Sequence, residues 1–310
     1  MSRISRYQDC FSRFIKNKSL ANNLTESSKN KVHNLSAQSE HIPSIVFLTI
    51  INVIGIKNKT TYHGYYMASG IEFMELIAKL TDNVEYDSDL VIELIGLLNV
   101  CLSQNIELIQ QYFDNSIVNK IFHKCIILLN SKVSKISLNY DLPCENEIGN
   151  SDILKINLPN INKENIKNKL LTLKQVKRNS LMNFVIDKYG SVCQLALTLA
   201  WLLSGGSGEN KVINKLEKMG ENLAYILKIS YDFVNLEHDL LNSTKYSRNL
   251  IINIGFQNSF ELFIQNKHKF ISGCLSLDIY TNTMKELVDL MESNIDNIID
   301  KASPDVPSNY

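Results

Sequence analysis

The sequence predicts an all-α protein, and three observations carry that expectation. Of five prolines (Pro43, Pro143, Pro159, Pro304, Pro307), none interrupts the stretch from Asn160 to Ser303. Proline breaks helix interiors, so this stretch is open to long helices. Within it Val212, Leu216, Met219, Leu223 and Ile226 step by four and three, a stripe that one helix face would bury. No succession of short alternating runs marks a sheet. At 310 residues, length alone does not divide the chain, and one large domain over residues 1–302 is expected, followed by a loose tail at 303–310.

The elements follow in order. The N-terminus, "MSRISRYQDCFSRFIKNKSL", is basic but leads into no apolar core and small-residue cleavage site, so no secretory signal is expected and the chain is placed in the cytoplasm. "IVFLTIINVIGI" (Ile45 to Ile56) and "VCQLALTLAWLL" (Val192 to Leu203) are largely apolar and carry no charge. Both fall short of the roughly 18 residues a membrane span needs, so they read as buried helices and no transmembrane segment is expected. "EFMELIAKLTDN" (Glu72 to Asn83) reads as a helix that ends on an acid and an amide. "LVIELIGLLNVCLSQNIELI" (Leu90 to Ile109) is apolar on most sides and predicts a central buried helix. Residues 139–165 mix Pro, Gly, Asn and Asp and predict a long exposed connection. "SGGSGEN" (Ser204 to Asn210) predicts a turn between two helices, and it lacks the Gly-Lys-Ser/Thr ending of a phosphate-cradling loop.

Charge and cysteine usage exclude some classes. Lys plus Arg equals Asp plus Glu at 32 each, which leaves no net field to draw in nucleic acid. The six cysteines (Cys10, Cys101, Cys125, Cys144, Cys193, Cys274) form no C-x-x-C pair, which predicts reduced, mostly buried thiols rather than a disulfide frame or a zinc site. Trp201 reads as core. In "ISYDFVNLEHD" (Ile229 to Asp239), Asp232, Asn235 and Asp239 step by three and four, which puts them on one helix face. Glu237, His238 and Asp239 are adjacent, so on a helix they point apart and with no nucleophile nearby suggest no acid–base pair.

Three segments carry a resemblance to a family. "IDKYGSVCQLALTLAWLLSGG" (Ile186 to Gly206) is similar to the helix of the trans-isoprenyl diphosphate synthases that holds a Lys-Thr-Gly or Lys-Thr-Ala step and ends in a Leu-Ser-Gly turn. Lys188 falls on its lysine. "GENLAYILKISYDFVNLEHDLLNSTKYS" (Gly220 to Ser247) resembles the segment with the second D-D-x-x-D motif. Tyr231, Asp232 and Asn235 stand at its acids, Lys228 at a usual glutamine, and Lys245 near the lysine that follows. "MASGIEFMELIAKLTDN" (Met67 to Asn83) resembles the helix leading into the first D-D-x-x-D. Glu72 keeps that helix's glutamate, Glu75 stands at the usual histidine, and Asp82, Asn83 and Tyr86 occupy the acid positions, with Asp87 one residue on. In outline the likeness covers Ser39 to Ile254.

The resemblance implies a bundle of long antiparallel helices around a central cavity. It also implies Mg²⁺ bridging an isoprenyl diphosphate to facing acids, because hard cations prefer carboxylate and phosphate oxygens. On that reading Asp82, Asn83, Asp87, Asp232, Asn235 and Asp239 are the metal ligands, and Lys188, Lys228 and Lys245 hold diphosphate. Asn235 with Asp239 also resembles the later positions of the terpene-cyclase N-D-x-x-S-x-x-x-E motif.

The departures are many. Tyr231 and Tyr86 replace acids, Ser39 and Ile42 stand where the family has basic residues before Pro43, and no Arg-Arg-Gly follows the first motif. Each lost electrostatic group typically costs about 10²–10³ in rate, so four or five losses, even non-additive, remove roughly 10⁶, the whole enhancement of a modest enzyme. The expectation is therefore a polyprenyl-synthetase-like protein with weak or no chain elongation, acting as a partner subunit in a homodimer or in a heterodimer with an active synthase. A divergent Mg²⁺-dependent prenyltransferase or terpene-synthase-like enzyme, and a helical isoprenoid- or lipid-binding protein, are the alternatives.

Overall fold

The computed structural model describes residues 2–17, 24–37, 39–59, 62–82, 87–138, 141–147, 153 and 162–302. In chain order the elements are α1 (Arg3–Asn17), α2 (Glu26–Ser36), α3 (Ile42–Asn58), α4 (Tyr65–Leu80), α5 (Ser88–Ile109), α6 (Asn115–Ser137), β1 (Cys144–Glu147), α7 (Lys163–Thr172), β2 (Lys174–Val176) and α8 (Arg178–Val185). A π-helical turn (Ile186–Gly190) leads directly into α9 (Ser191–Leu203), followed by α10 (Asn210–Val234), α11 (Leu236–Asn242), α12 (Leu250–Ile254), α13 (Phe256–Ser276) and α14 (Asn282–Ala302). The described chain is thus almost wholly helical, as the uninterrupted stretch after Asn160 predicts.

The described residues part into two compact units: those within 1–139, 187–221 and 270–287 form one, and those within 140–186, 222–269 and 288–302 the other. In the first unit α3 and α9 pack against each other. Each is largely apolar, and Ile45, Phe47, Ile50, Leu195, Leu199 and Leu203 are fully enclosed. Both apolar runs are therefore core helices, as their length requires. α4 is buried from Met67 to Ala78 and packs on α5.

α5 differs from the expected central helix. It buries one face, including Leu90, Leu94, Leu98 and Cys101, and leaves Ile92 67% exposed. The middle of the unit belongs to α3, α4 and α9: α3 carries one charged residue, Lys57, and α9 none, while α4 buries Glu72 and Glu75 with partners of their own. Among the described residues α5 is the one helix long and apolar enough to cross a membrane, and its apolar face is taken up by packing on α4. A close backbone approach joins α9 to the first half of α10: a Cβ on Gly220 would lie 2.5 Å from the N and Cα of Gln194.

In the second unit β1 pairs antiparallel with β2, Cys144 opposite Val176 and Glu147 opposite Lys174. This small sheet falls at the edge of the connection predicted over 139–165. Asn162 ends that connection by accepting a hydrogen bond from Asn165 N–H at 2.8 Å, which caps α7. Most of the connection, and the tail 303–310, lie outside the described residues. Around the sheet, Lys174 N–H donates to the Lys245 carbonyl at 2.9 Å and Val176 N–H to Asn253 Oδ1 at 2.8 Å. The chain after α11 is thereby fixed to β2.

Candidate functional site

In the first unit the resembled residues gather where α4 and α6 end. The last carbonyls of a helix have no partner within it, and a cation there also meets the negative end of the helix dipole. Lys188, on the π turn, supplies that cation. It is 0% exposed and donates to Thr81 Oγ1 at 2.5 Å and to the Ile136 carbonyl at 2.6 Å. A diphosphate clamp needs an ammonium open to its ligand, and this ammonium is enclosed by the two helix ends. Its neighbours on the π turn face other partners: Asp187 pairs with Lys135 at 3.1 Å, and Tyr189 Oη lies 3.5 Å from Asp82 Oδ2.

Asp87 does local work. Its carboxylate accepts from Leu90 N–H at 3.0 Å at the start of α5 and pairs with Lys31. The Lys31 hydrogen bond first, and the Leu90 N–H second, hold its pKa below the usual carboxylate value. Asn83 and Tyr86 lie outside the described residues.

Sequence reasoning did not anticipate the buried acids behind this point. Glu72 is 0% exposed, with its Oε2 2.9 Å from His41 Nδ1 and 3.4 Å from Ser44 Oγ. One turn on, buried Glu75 pairs with Lys79 at 2.7 Å. Burial pushes the Glu75 carboxyl up, against the pull of Lys79. Two glutamates in an otherwise apolar helix run are the signal that marks such a cluster, because an acid among buried residues must find partners.

In the second unit the same rule organises the acids of α10 and α11. Asp232 is 2% exposed; its Oδ1 lies 2.5 Å from Lys228 Nζ and its Oδ2 accepts from Leu250 N–H at 2.7 Å. Burial, outweighing Lys228 and the Leu250 bond, pushes the Asp232 pKa up to about 6. Asn249 Nδ2 bridges the Asp232 carbonyl at 2.8 Å and Asp239 Oδ2 at 2.9 Å, while its Oδ1 caps α12 through Ile251 N–H.

The expected shared face of Asp232, Asn235 and Asp239 does not form. Asn235 sits exposed at the junction of α10 and α11, where it turns its amide to the Tyr231 carbonyl at 2.9 Å. The two aspartates meet through Asn249 instead. Two further expectations need correction. His238 Nδ1 lies 3.4 Å from Asp239 Oδ1, so these neighbours do touch. Trp201 is half-buried rather than core, with its indole donating to the Ser207 carbonyl at 3.0 Å across the Ser204–Asn210 turn. Lys245 is exposed, its carbonyl used by Lys174.

The assembled helices define a class: this is the fold of the isoprenyl diphosphate synthases. A geranyltransferase from Legionella pneumophila superposes with a TM-score of 0.57 at 10% identity, over 95% of this chain and 96% of that one. A geranyltransferase from Helicobacter pylori, complexed with magnesium and isoprenyl diphosphate, gives 0.52 at 11% identity over 97% of each chain. A mint heterotetrameric geranyl pyrophosphate synthase gives 0.53 at 12% identity, over 93% and 99%. No protein-family model and no curated protein sequence matches the chain.

The fold family implies Mg²⁺, and the described residues do not fit it. Mg²⁺ requires oxygen ligands free to converge in octahedral geometry. Both Asp232 oxygens are engaged by an ammonium and an amide, Asp239 by Asn249 and His238, and Asp87 by Lys31 and a helix start. Among the described residues no group of three or more His, Cys, Asp or Glu side chains is placed to hold a metal ion.

Proposed function

We propose that this chain is an isoprenyl-synthase-fold protein that does not elongate prenyl chains on its own and serves as a non-catalytic subunit beside an active synthase in the cytoplasm. The observation that carries this reading is Lys188: the one lysine in the resembled helix step is fully buried and bonded to Thr81 and Ile136. An ammonium spent on helix carbonyls has no donors facing solvent with which to clamp a diphosphate.

Support for a subunit role comes from the surface of the first unit. α6 buries only a narrow stripe, including Val118, Ile121, Cys125 and Leu129, and leaves Ile117, Phe122 and Ile127 exposed. A partner chain is the cover proposed for these side chains, which lie at separate places around α6. The mint synthase of the same fold is heterotetrameric, which makes a second chain of this fold the natural partner class.

The test is a prenyl-transfer assay with labelled isopentenyl diphosphate and allylic diphosphates of several lengths, with and without Mg²⁺, on the folded protein alone and mixed with an active synthase. No product from the chain alone, with a changed product distribution and a co-eluting complex in the mixture, is the expected result. Magnesium-dependent product from the chain alone overturns the reading and favours the divergent enzyme. Uptake of a prenyl chain without magnesium and without a partner overturns it in favour of a carrier.

A further inference from the structure

The buried carboxylate of Asp232 poses an electrostatic problem that the second unit solves within its own chain. An ionised carboxylate taken out of water needs a cation or several donors close by. Lys228 stands one turn before Asp232 on α10, their side chains 8% and 3% exposed and their charged atoms 2.5 Å apart. Lysine N-terminal to the acid is the less favourable order for an i,i+4 pair on a helix. Support of α10 itself therefore does not account for the pair; its burial does.

The carboxylate's other oxygen reaches 18 residues along the chain to Leu250 N–H, and Asn249 ties the same turn to Asp239. The Asp232 carboxylate thus joins the end of α10 to the start of α12, and Asn249 extends the tie to Asp239 on α11. We propose that Lys228 is a tethered cation in the place a divalent ion would take beside Asp232, so that this part of the second unit holds together without metal. An ammonium supplied by the chain is present at fixed occupancy, whereas a bound ion depends on its concentration. Exchange of cation type also fits the contacts: each Asp232 oxygen already accepts a hydrogen bond, one from the Lys228 ammonium and one from the Leu250 amide. Lys228 holds Asp232 in this way whether or not the chain elongates prenyl diphosphates elsewhere.

The experiment uses the full chain and reads metal, not activity. Thermal unfolding in EDTA and in millimolar Mg²⁺ is followed for the wild type, Lys228→Gln, Asp232→Asn and the double variant, and Mn²⁺ binding is followed by the loss of the free-ion resonance signal. The wild type is expected to melt at the same temperature in both conditions and to take up no Mn²⁺ that Asp232→Asn abolishes. Lys228→Gln is expected to melt roughly 5 °C or more lower in EDTA and to recover on adding the divalent ion, a recovery absent from the double variant. Saturable Mn²⁺ binding by the wild type that Asp232→Asn removes would overturn the proposal. So would a Lys228→Gln protein whose melting is indifferent to the ion. If Lys228→Gln does not fold, the comparison of the wild type with Asp232→Asn still decides. The prenyl-transfer assay fails or succeeds independently of these readings, because product formed at another metal site leaves the Asp232 result unchanged.

Discussion

The Lys188 ammonium lies 2.5 Å from the Thr81 hydroxyl, and that contact turns a residue resembling a substrate clamp into a helix-end cap. Lys188→Met keeps the length of the side chain but removes every donor, leaving the Thr81 hydroxyl and the Ile136 carbonyl buried with one partner fewer. The Thr81 hydroxyl still reaches the Ile77 and Ile136 carbonyls, so the loss is that of hydrogen bonds to a charged group, about 1.5–3 kcal/mol. Urea unfolding of Lys188→Met is expected to show a loss of that order with an unchanged slope. An open diphosphate clamp behaves differently: its loss leaves stability alone and weakens binding of pyrophosphate.

Asp232 gives the protein a pH signature of unusual sign. Its carboxyl titrates near 3.8 when unfolded and is raised to about 6 when folded. A raised folded pKa means the native state binds the proton more tightly, so the stabilisation from this group is complete below pH 3.8 and is lost as pH rises through about 6. Glu75, also raised by burial, acts in the same sense. The difference in unfolding free energy between wild type and Asp232→Asn isolates the first contribution. It is expected to change between about pH 4 and pH 7, in favour of the wild type at the acid end. A difference independent of pH across that window contradicts the burial-driven shift.

Gly220 sets how closely α9 and α10 approach. Because a methyl group there would meet Gln194 backbone atoms at 2.5 Å, and backbone cannot swing aside as a side chain can, the helices must separate to admit it. Gly220→Ala is expected to destabilise by about 1–3 kcal/mol, despite the better helix propensity of alanine. A thermal melt checks it. A gain in stability would mean that the two helices part easily at this point.

How much of this was readable in the chain follows from how local each cause is. The core helices over Ile45 to Ile56 and Val192 to Leu203 were legible because apolar runs too short for a membrane have few other fates. The stripe at Leu216, Met219, Leu223 and Ile226 was legible because its period is that of a helix. The β1–β2 pair was not, since strands of four and three residues with charged and amide side chains carry no alternation to detect. The spacing of Lys228 and Asp232 was visible, but such pairs are ordinarily solvated. The amide that meets Asp232 comes from the start of α12, which only the fold brings there. Lys188 was hidden most deeply, because its partners lie 107 and 52 residues away in sequence. A resemblance in sequence therefore located the position of each candidate ligand without revealing whether its charge was still available.

Thiol chemistry offers a last check on the buried architecture. Cys10 is exposed and Cys144 half-buried, whereas Cys101, Cys125, Cys193 and Cys274 are buried. Burial disfavours the thiolate: it pushes the Cys125 and Cys274 thiols up to about 12 and raises Cys101 and Cys193 as well. The thiolate is the species that attacks an aromatic disulfide reagent, so reactivity should follow both access and pKa. Of six cysteines, Cys10 is expected to react rapidly, Cys144 more slowly, and the remaining four only as the protein opens or denatures. Cys10→Ser should remove the fast phase and nothing else. If several thiols of the wild type react at once in native buffer, the enclosed packing of α5, α6 and α9 around Cys101, Cys125 and Cys193 is wrong. If they appear together on adding denaturant, their common rate reports the opening of the first unit as a single cooperative body.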